Sequence, residues 1–337
     1  MDQLTAHLDR GWDLAQQGDV RGAEASARQA LEIDPNAPEV HNLLGFVAAL
    51  EGEAEAAVEH YKSALALDEG YFDAMLNLAE VLVHPLGELD EAIDQCDEAI
   101  SWAENDEELA DAMLIKIDAL LAKHDEAGAK RAVAALPDGP FESPRYDFLI
   151  GRAKFEVADV EGASPWIERA IERDGENPDP HYYRALIREA RGEHLLAAAS
   201  FLTVRRLDEL APPREGAMSS ASFEQSVRAA LKALDPALRR FVEVADVYVT
   251  PLPGLEVVAD GVDPRAPMLL DGLSTPERPG PPCARIFVYQ RNVERMVGIA
   301  TEIVDELVAT LEFEITSTFL EDRRSDAGRP KAKHELN

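Results

Sequence analysis

Small residues recur along the first two-thirds of this chain with a period of about 34 residues, and a period of that length fixes a helix–turn–helix unit stacked on copies of itself. Gly11, Gly18, Ala23, Ala30 and Pro35 mark a first unit, and Leu44, Gly45, Gly52, Ala57, Tyr61 and Ala64 a second. Leu78, Ala79, Gly87, Ala92 and Ala99 mark a third, with one extra residue near His84 and Pro85. A fourth, about residues 107–136, is degenerate; Gly151, Ala163, Ile167 and Ala170 mark a fifth, and Ala185, Gly192, Ala197 and Phe201 a sixth. Small residues where two helices cross let their backbones approach, and larger ones from the next pair fill what remains. Glycine at the turn supplies the positive φ that ends the first helix, and Asp34-Pro35 or Asn177-Pro178 stops the second. The spacing therefore predicts an α solenoid of about six helix pairs between residues 4 and 208.

These positions resemble the tetratricopeptide repeat family, whose stacked helices form a groove that binds peptide segments or partner helices. The resemblance implies groove contacts from the first helix of each unit, here Trp12, Asn42, Phe46, Leu76, Glu80, Tyr182 and Glu189. An asparagine pair with carboxylate neighbours suits an extended peptide backbone, and Trp12 and Phe46 also suit packing between repeats. A clamp for acidic peptide C-termini needs several Lys or Arg in the groove, and this groove is not basic.

Proline, glycine and serine interrupt the helical pattern over 211–221, which is read as a linker after a 1–210 repeat domain. Residues 222–322 follow the order of the minimal zincin-like metallopeptidase family of small bacterial domains, and resemble it. Helix 223–234 leads to Asp235-Pro236-Ala237-Leu238, a strand over 242–251, a loop carrying Leu270-Asp271-Gly272-Leu273, a strand over 284–291, and a long helix. On that helix Phe313 stands where the family has its first zinc-binding histidine, Glu314 where it has the general base, and Ser317 where it has the second histidine. Phenylalanine cannot ligate a cation, and a serine hydroxyl is a poor zinc ligand beside imidazole. No histidine occurs between residues 211 and 333, and Cys283 is the one thiol there. The resemblance thus implies a vestigial zincin-like α+β domain with no metal and no cofactor. The alternative is a divergent metal-dependent peptidase with Glu314 as base and oxygen ligands from Glu312, Glu321 or Asp322. The irregular stretch 274–282 reads as a surface loop, and 323–337 as a flexible tail.

A formal charge of −32 repels phosphate backbones and anionic surfaces, which argues against nucleic acid and membrane partners and favours a basic protein segment. Cys96 and Cys283 make no paired framework, no basic-then-apolar leader opens the chain, and no window reaches the roughly 18 apolar residues of a membrane span. The expectation is a non-catalytic cytoplasmic scaffold or adaptor. Its repeat groove holds a protein or peptide segment, and its degenerate domain serves as a second docking surface or as a cap on the last repeat.

Overall fold

The computed structural model describes residues 2–214, 216–274, 280–297 and 302–320, which form seventeen α-helices and three strands. The chain divides into two compact units, residues 1–173 and 174–337.

The first unit is a stack of five helix pairs: α1 (Gln3–Gln16) with α2 (Val20–Ile33), α3 (Pro38–Glu51) with α4 (Ala54–Leu67), α5 (Phe72–Val81) with α6 (Leu89–Trp102), α7 (Asp106–Ala122) with α8 (Glu126–Ala134), and α9 (Arg145–Glu156) with α10 (Val160–Arg173). The alanines that carry the period, including Ala23, Ala57, Ala92 and Ala163, are fully buried at the crossings. Gly45 shows the tolerance: a Cβ there would lie 2.6 Å from the Tyr61 ring, whose side chain is fully buried. The extra residue of the third pair is absorbed by a wide turn, Leu82–Leu86, closed by the Glu88 N–H donating to the Leu82 carbonyl. The degenerate fourth pair is a full pair with a long first helix and a short second one.

The turn inside each pair needs a positive φ. Gly18, Gly52 and Gly87 supply it, but His124 and Ala158 take the same place at φ 60° and 65°. A Cβ in that region meets the following carbonyl, at a cost of roughly 1–2 kcal/mol per residue. Replacing Ala158 by glycine is expected to stabilise the first unit by about 0.5–1 kcal/mol, after the greater entropy of glycine in the unfolded chain is subtracted. Denaturant unfolding of the single variant checks this, and a loss of stability would contradict it. Downstream of three of these turns Asp19, Asp125 and Asp159 accept the backbone N–H of Gly22, Gly128 and Gly162 and so cap the second helices.

The second unit joins the sixth helix pair, α11 (Pro178–Ala190) and α12 (His194–Leu210), to an α+β layer. That layer comprises α13 (Ser220–Ala233), α14 (Pro236–Arg239), β1 (Asp246–Thr250), α15 (Leu255–Ala259), β2 (Met268–Asp271), β3 (Arg285–Tyr289), α16 (Gln290–Met296) and α17 (Ile303–Phe319). The sheet order is β1-β3-β2, with β1 parallel and β2 antiparallel to β3. Ile303, Leu307, Leu311 and Ile315 recur every fourth residue on α17 and pack against Phe223 and Val227 of α13 and Ile286 and Val288 of β3. Two local expectations are corrected. The first strand begins at Asp246, because residues 240–244 are taken up by tight turns, and Leu270 and Asp271 are strand residues of β2, with the turn at Gly272.

The division at 173/174 leaves α11 and α12 with the α+β layer. Val258 of α15 is buried against Ala185 and Phe201, and the Arg205 Nε donates to the Pro253 carbonyl at 2.6 Å. Asp208, 1% exposed, holds Arg295 through both oxygens at 2.6 and 2.9 Å and lies 3.5 Å from the Arg265 Nε. Arg291 donates to the Asp208 and Ala211 carbonyls, and Arg214 to those of Glu294 and Val297. The stretch read as a linker is thereby tied down by arginine hydrogen bonds at Ala211 and Arg214 and by the Gln290 amide donating to the Met218 carbonyl.

Candidate functional site

The first helices of the N-terminal unit repeat one face, and the side chains on it change character along the stack. Trp12, Phe46 and Glu80 occupy the same repeat position, 34 residues apart, and Asp118 and Arg152 share that spacing on α7 and α9. Trp12 and Phe46 are half-buried with ring centroids 5.1 Å apart and pack on the cluster of Val40, Leu43 and Leu44. Next comes an amide ladder: the Asn77 Nδ2 donates to the Asn42 Oδ1 at 2.9 Å, and the Asn42 Nδ2 donates to the Tyr71 hydroxyl at 3.3 Å. Asn42 is itself buried, so Asn77 is the ladder member open to a ligand. Leu76 is half-buried against Met75, Ala99 and Ala112 and serves packing between pairs.

Beyond the amides the face is ionic. Arg145 donates to both oxygens of Asp111 at 2.7 and 2.8 Å, and the Tyr146 hydroxyl donates to the same carboxylate at 2.9 Å. Arg152 grips Asp118 in the same two-oxygen manner at 3.1 and 3.2 Å. Glu80, an exposed residue, stands among these groups and has no ion pair among the described residues. Its carboxyl is pushed above the usual range, first by loss of hydration and then by Asp111 and Asp118, with Arg145 opposing. Burial also raises the Asp111 carboxyl and outweighs the lowering by Tyr146 and Arg145.

Tyr182 and Glu189, expected on the same groove, sit in the second unit and face other duties. The Tyr182 hydroxyl donates to Asp263 at 2.7 Å, the Arg265 guanidinium lies 4.9 Å from its ring centroid, and Phe201 packs beside it. Burial and then Asp263 hold the phenol far above its ordinary range. The Glu189 carboxyl is raised by burial and then by Asp263, with His194 opposing. Residues 253–265 thus cover this part of the α11 face within the second unit.

On α17 the three positions aligned with a zinc motif do not converge on a centre. Phe313 is 67% exposed, and the Ser317 hydroxyl donates to the Glu314 backbone carbonyl at 3.2 Å. Glu314 is half-buried with its carboxyl raised by burial. Among the described residues no group of three or more His, Cys, Asp or Glu is placed to hold a metal ion; Glu321 and Asp322 lie outside them, as does the 323–337 tail. Both cysteines are free and buried, and burial pushes the Cys96 thiol up to about 12. No helix among the described residues is long and apolar enough to cross a membrane.

Sequence comparison matches tetratricopeptide repeat models over residues 48–116 and over residues 8–72 and 148–212. A curated relative, the type IV pilus assembly protein PilF of Pseudomonas aeruginosa, is 38% identical over 63 residues, which is 19% of this chain and 25% of that protein. The chain therefore spans about a quarter of that relative's length. The solved structure of PilF from Pseudomonas aeruginosa superposes with a TM-score of 0.52 at 21% identity, over 62% of this chain and 93% of that one. PilW, described as a widely conserved type IV pilus biogenesis factor, superposes with a TM-score of 0.50 at 18% identity over 62% and 94%. At these identities the two structures establish the shared helical repeat fold.

Proposed function

We propose that this chain, whose residues 8–116 and 148–212 are tetratricopeptide repeats, is a non-catalytic interaction protein that holds a partner segment on the first-helix face of its N-terminal unit. The observation that carries this reading is the row Trp12, Phe46, Glu80, with Asn77 beside it. Its members offer an aromatic seat, an amide and an unpaired carboxylate in sequence along one face. An apolar side chain on the aromatic pair anchors the segment, and Asn77 reaches its backbone. Glu80 then takes a lysine or arginine, because the neighbouring carboxylates already have their cations.

Calorimetric titration of a synthetic peptide with one leucine or phenylalanine and one lysine, against its lysine-to-glutamate counterpart, tests this directly. The basic peptide binds and the acidic one does not; equal affinities would remove the charge argument. The pH dependence has a defined sign. Because the Glu80 carboxyl titrates above its ordinary value, protonation removes the negative charge at a higher pH than for a free carboxylate. Affinity for the basic peptide therefore falls as pH is lowered through that raised value and is flat above it, and Glu80→Gln abolishes the dependence.

A second reading, in which the α+β layer is a zincin-like relic, rests on its opening helix α13, its three strands with α15 between the first two, its closing long helix α17, and Glu314 in the general-base place. A carboxyl raised by burial binds its proton more tightly in the folded state, so its contribution to stability declines as pH rises through the folded value. Glu314→Gln then raises Tm at neutral pH, and the gain disappears in acid. A variant that instead loses peptide hydrolysis shown by the parent chain would establish the divergent-peptidase alternative.

A further inference from the structure

The edge strand β1 carries few of the devices by which sheets protect their edges, and its one charged residue is Asp246. It holds no proline, no lysine and no bulge, and no backbone hydrogen bond covers its outer side among the described residues. The Asp246 N–H donates to the carbonyl of Ala284, the residue before β3, and a parallel ladder alternates, so the amides and carbonyls of Asp246, Tyr248 and Thr250 serve the β3 side. Those of Val247 and Val249 point outward. The side chains make a matching template. Val247, 39% exposed, extends the buried row of Ile286 and Leu270, whereas Tyr248, 44% exposed, stacks on Phe287 at 5.2 Å on the opposite face. Asp246 and the nearby Glu243 form no ion pair among the described residues.

The geometry points to β1 as a docking edge for an extended segment of a partner protein, with alternating apolar residues and a lysine or arginine facing Asp246. A backbone ladder along Val247 and Val249 gives the affinity, and the apolar rows give the register. A second copy is the less favoured occupant, because self-pairing brings together two chains of formal charge −32 and two copies of Asp246 and Glu243. This surface lies in the second unit and stands whether or not the repeat face binds its peptide.

The test uses the full chain and an acetylated, amidated peptide of sequence Lys-Val-Phe-Val-Lys-Val as probe. Hydrogen exchange at the Val247 and Val249 amides slows at least tenfold on saturation, and a probe N-methylated on alternate residues loses at least tenfold in affinity. Val249→Pro removes an outward N–H that the sheet does not use and also trims a side chain packed on the core, so the variant loses the probe while a melting curve recorded beside it shows that the unit stays folded. Unchanged exchange at both amides, or equal binding of the methylated probe, would overturn the proposal. So would a dimer in sedimentation that Val249→Pro dissolves, since that assigns the edge to a second copy.

Discussion

Replacing Asp208 by alanine destabilises the C-terminal unit by about 3–5 kcal/mol, because it strands the guanidinium of Arg295 and removes the charge beside Arg265. The carboxylate is 1% exposed and accepts from Arg295 through both oxygens, whereas Arg295 keeps contact with water. That partial hydration sets the loss toward the lower end of the range. Asp208→Asn keeps the shape and loses the charge, and is expected to fall between alanine and the parent. Arg291 bonds to the Asp208 backbone carbonyl, so its bonds survive both substitutions. Thermal unfolding followed by hydrogen exchange in α12 and α16 reads the effect where it arises. A loss below about 1 kcal/mol for the alanine variant, the range of exposed pairs, would show that the sixth helix pair does not depend on this ionic junction. Deleting residues 222–337 exposes Val258's seat on Ala185 and Phe201, and is expected to render the remaining chain insoluble.

Trp12→Ala is expected to weaken peptide binding to the N-terminal unit by about 30-fold, the ~2 kcal/mol typical of a tryptophan at the centre of an interface. The ring is half-buried on Phe46, so part of its area is already spent on the fold and the rest is available to a ligand. The variant therefore also loses some stability, and its melting temperature must be recorded beside its affinity. Glu80→Lys separates the two effects. Glu80 is an exposed residue without an ion pair among the described residues, so the fold tolerates the change, while a cationic ligand meets a like charge and loses a comparable factor. Retention of affinity by both variants would place the ligand elsewhere.

Much of the first unit is legible in the sequence because glycine and alanine at fixed spacing report helix crossings directly. Gly18, Gly52 and Gly87 mark three turns by residue type alone. The turns at His124 and Ala158 carry no such mark, since the neighbouring pairs force a left-handed backbone on residues that do not prefer it. The row of Trp12, Phe46 and Glu80 follows from the period. Its continuation through Asp118 and Arg152 does not, because the longer α7 shifts the register between the third and fourth pairs.

The second unit is less legible for a different reason. Asp208 meets Arg265 and Arg295 across tens of residues, and nothing local to any of the three signals the contact. Tyr182 occupies a groove position by spacing, yet the chain returns over it at Asp263 and Arg265. A short hydrophobic run before Gly272 reads as a loop, but pairing with β3 makes it a strand. Edge strand β1 is visible as a run of β-branched and aromatic residues; that it lies at an edge is a property of topology alone.

Selection from a random linear-peptide library on the full chain, repeated on Glu80→Lys, tests the repeat-face proposal most directly. The parent protein is expected to enrich peptides with a large apolar residue followed or preceded by lysine or arginine, and Glu80→Lys to lose that basic preference or replace it with an acidic one. The same basic consensus from both proteins, or no enrichment from either, would contradict the proposal that the row from Trp12 to Glu80 recognises a partner.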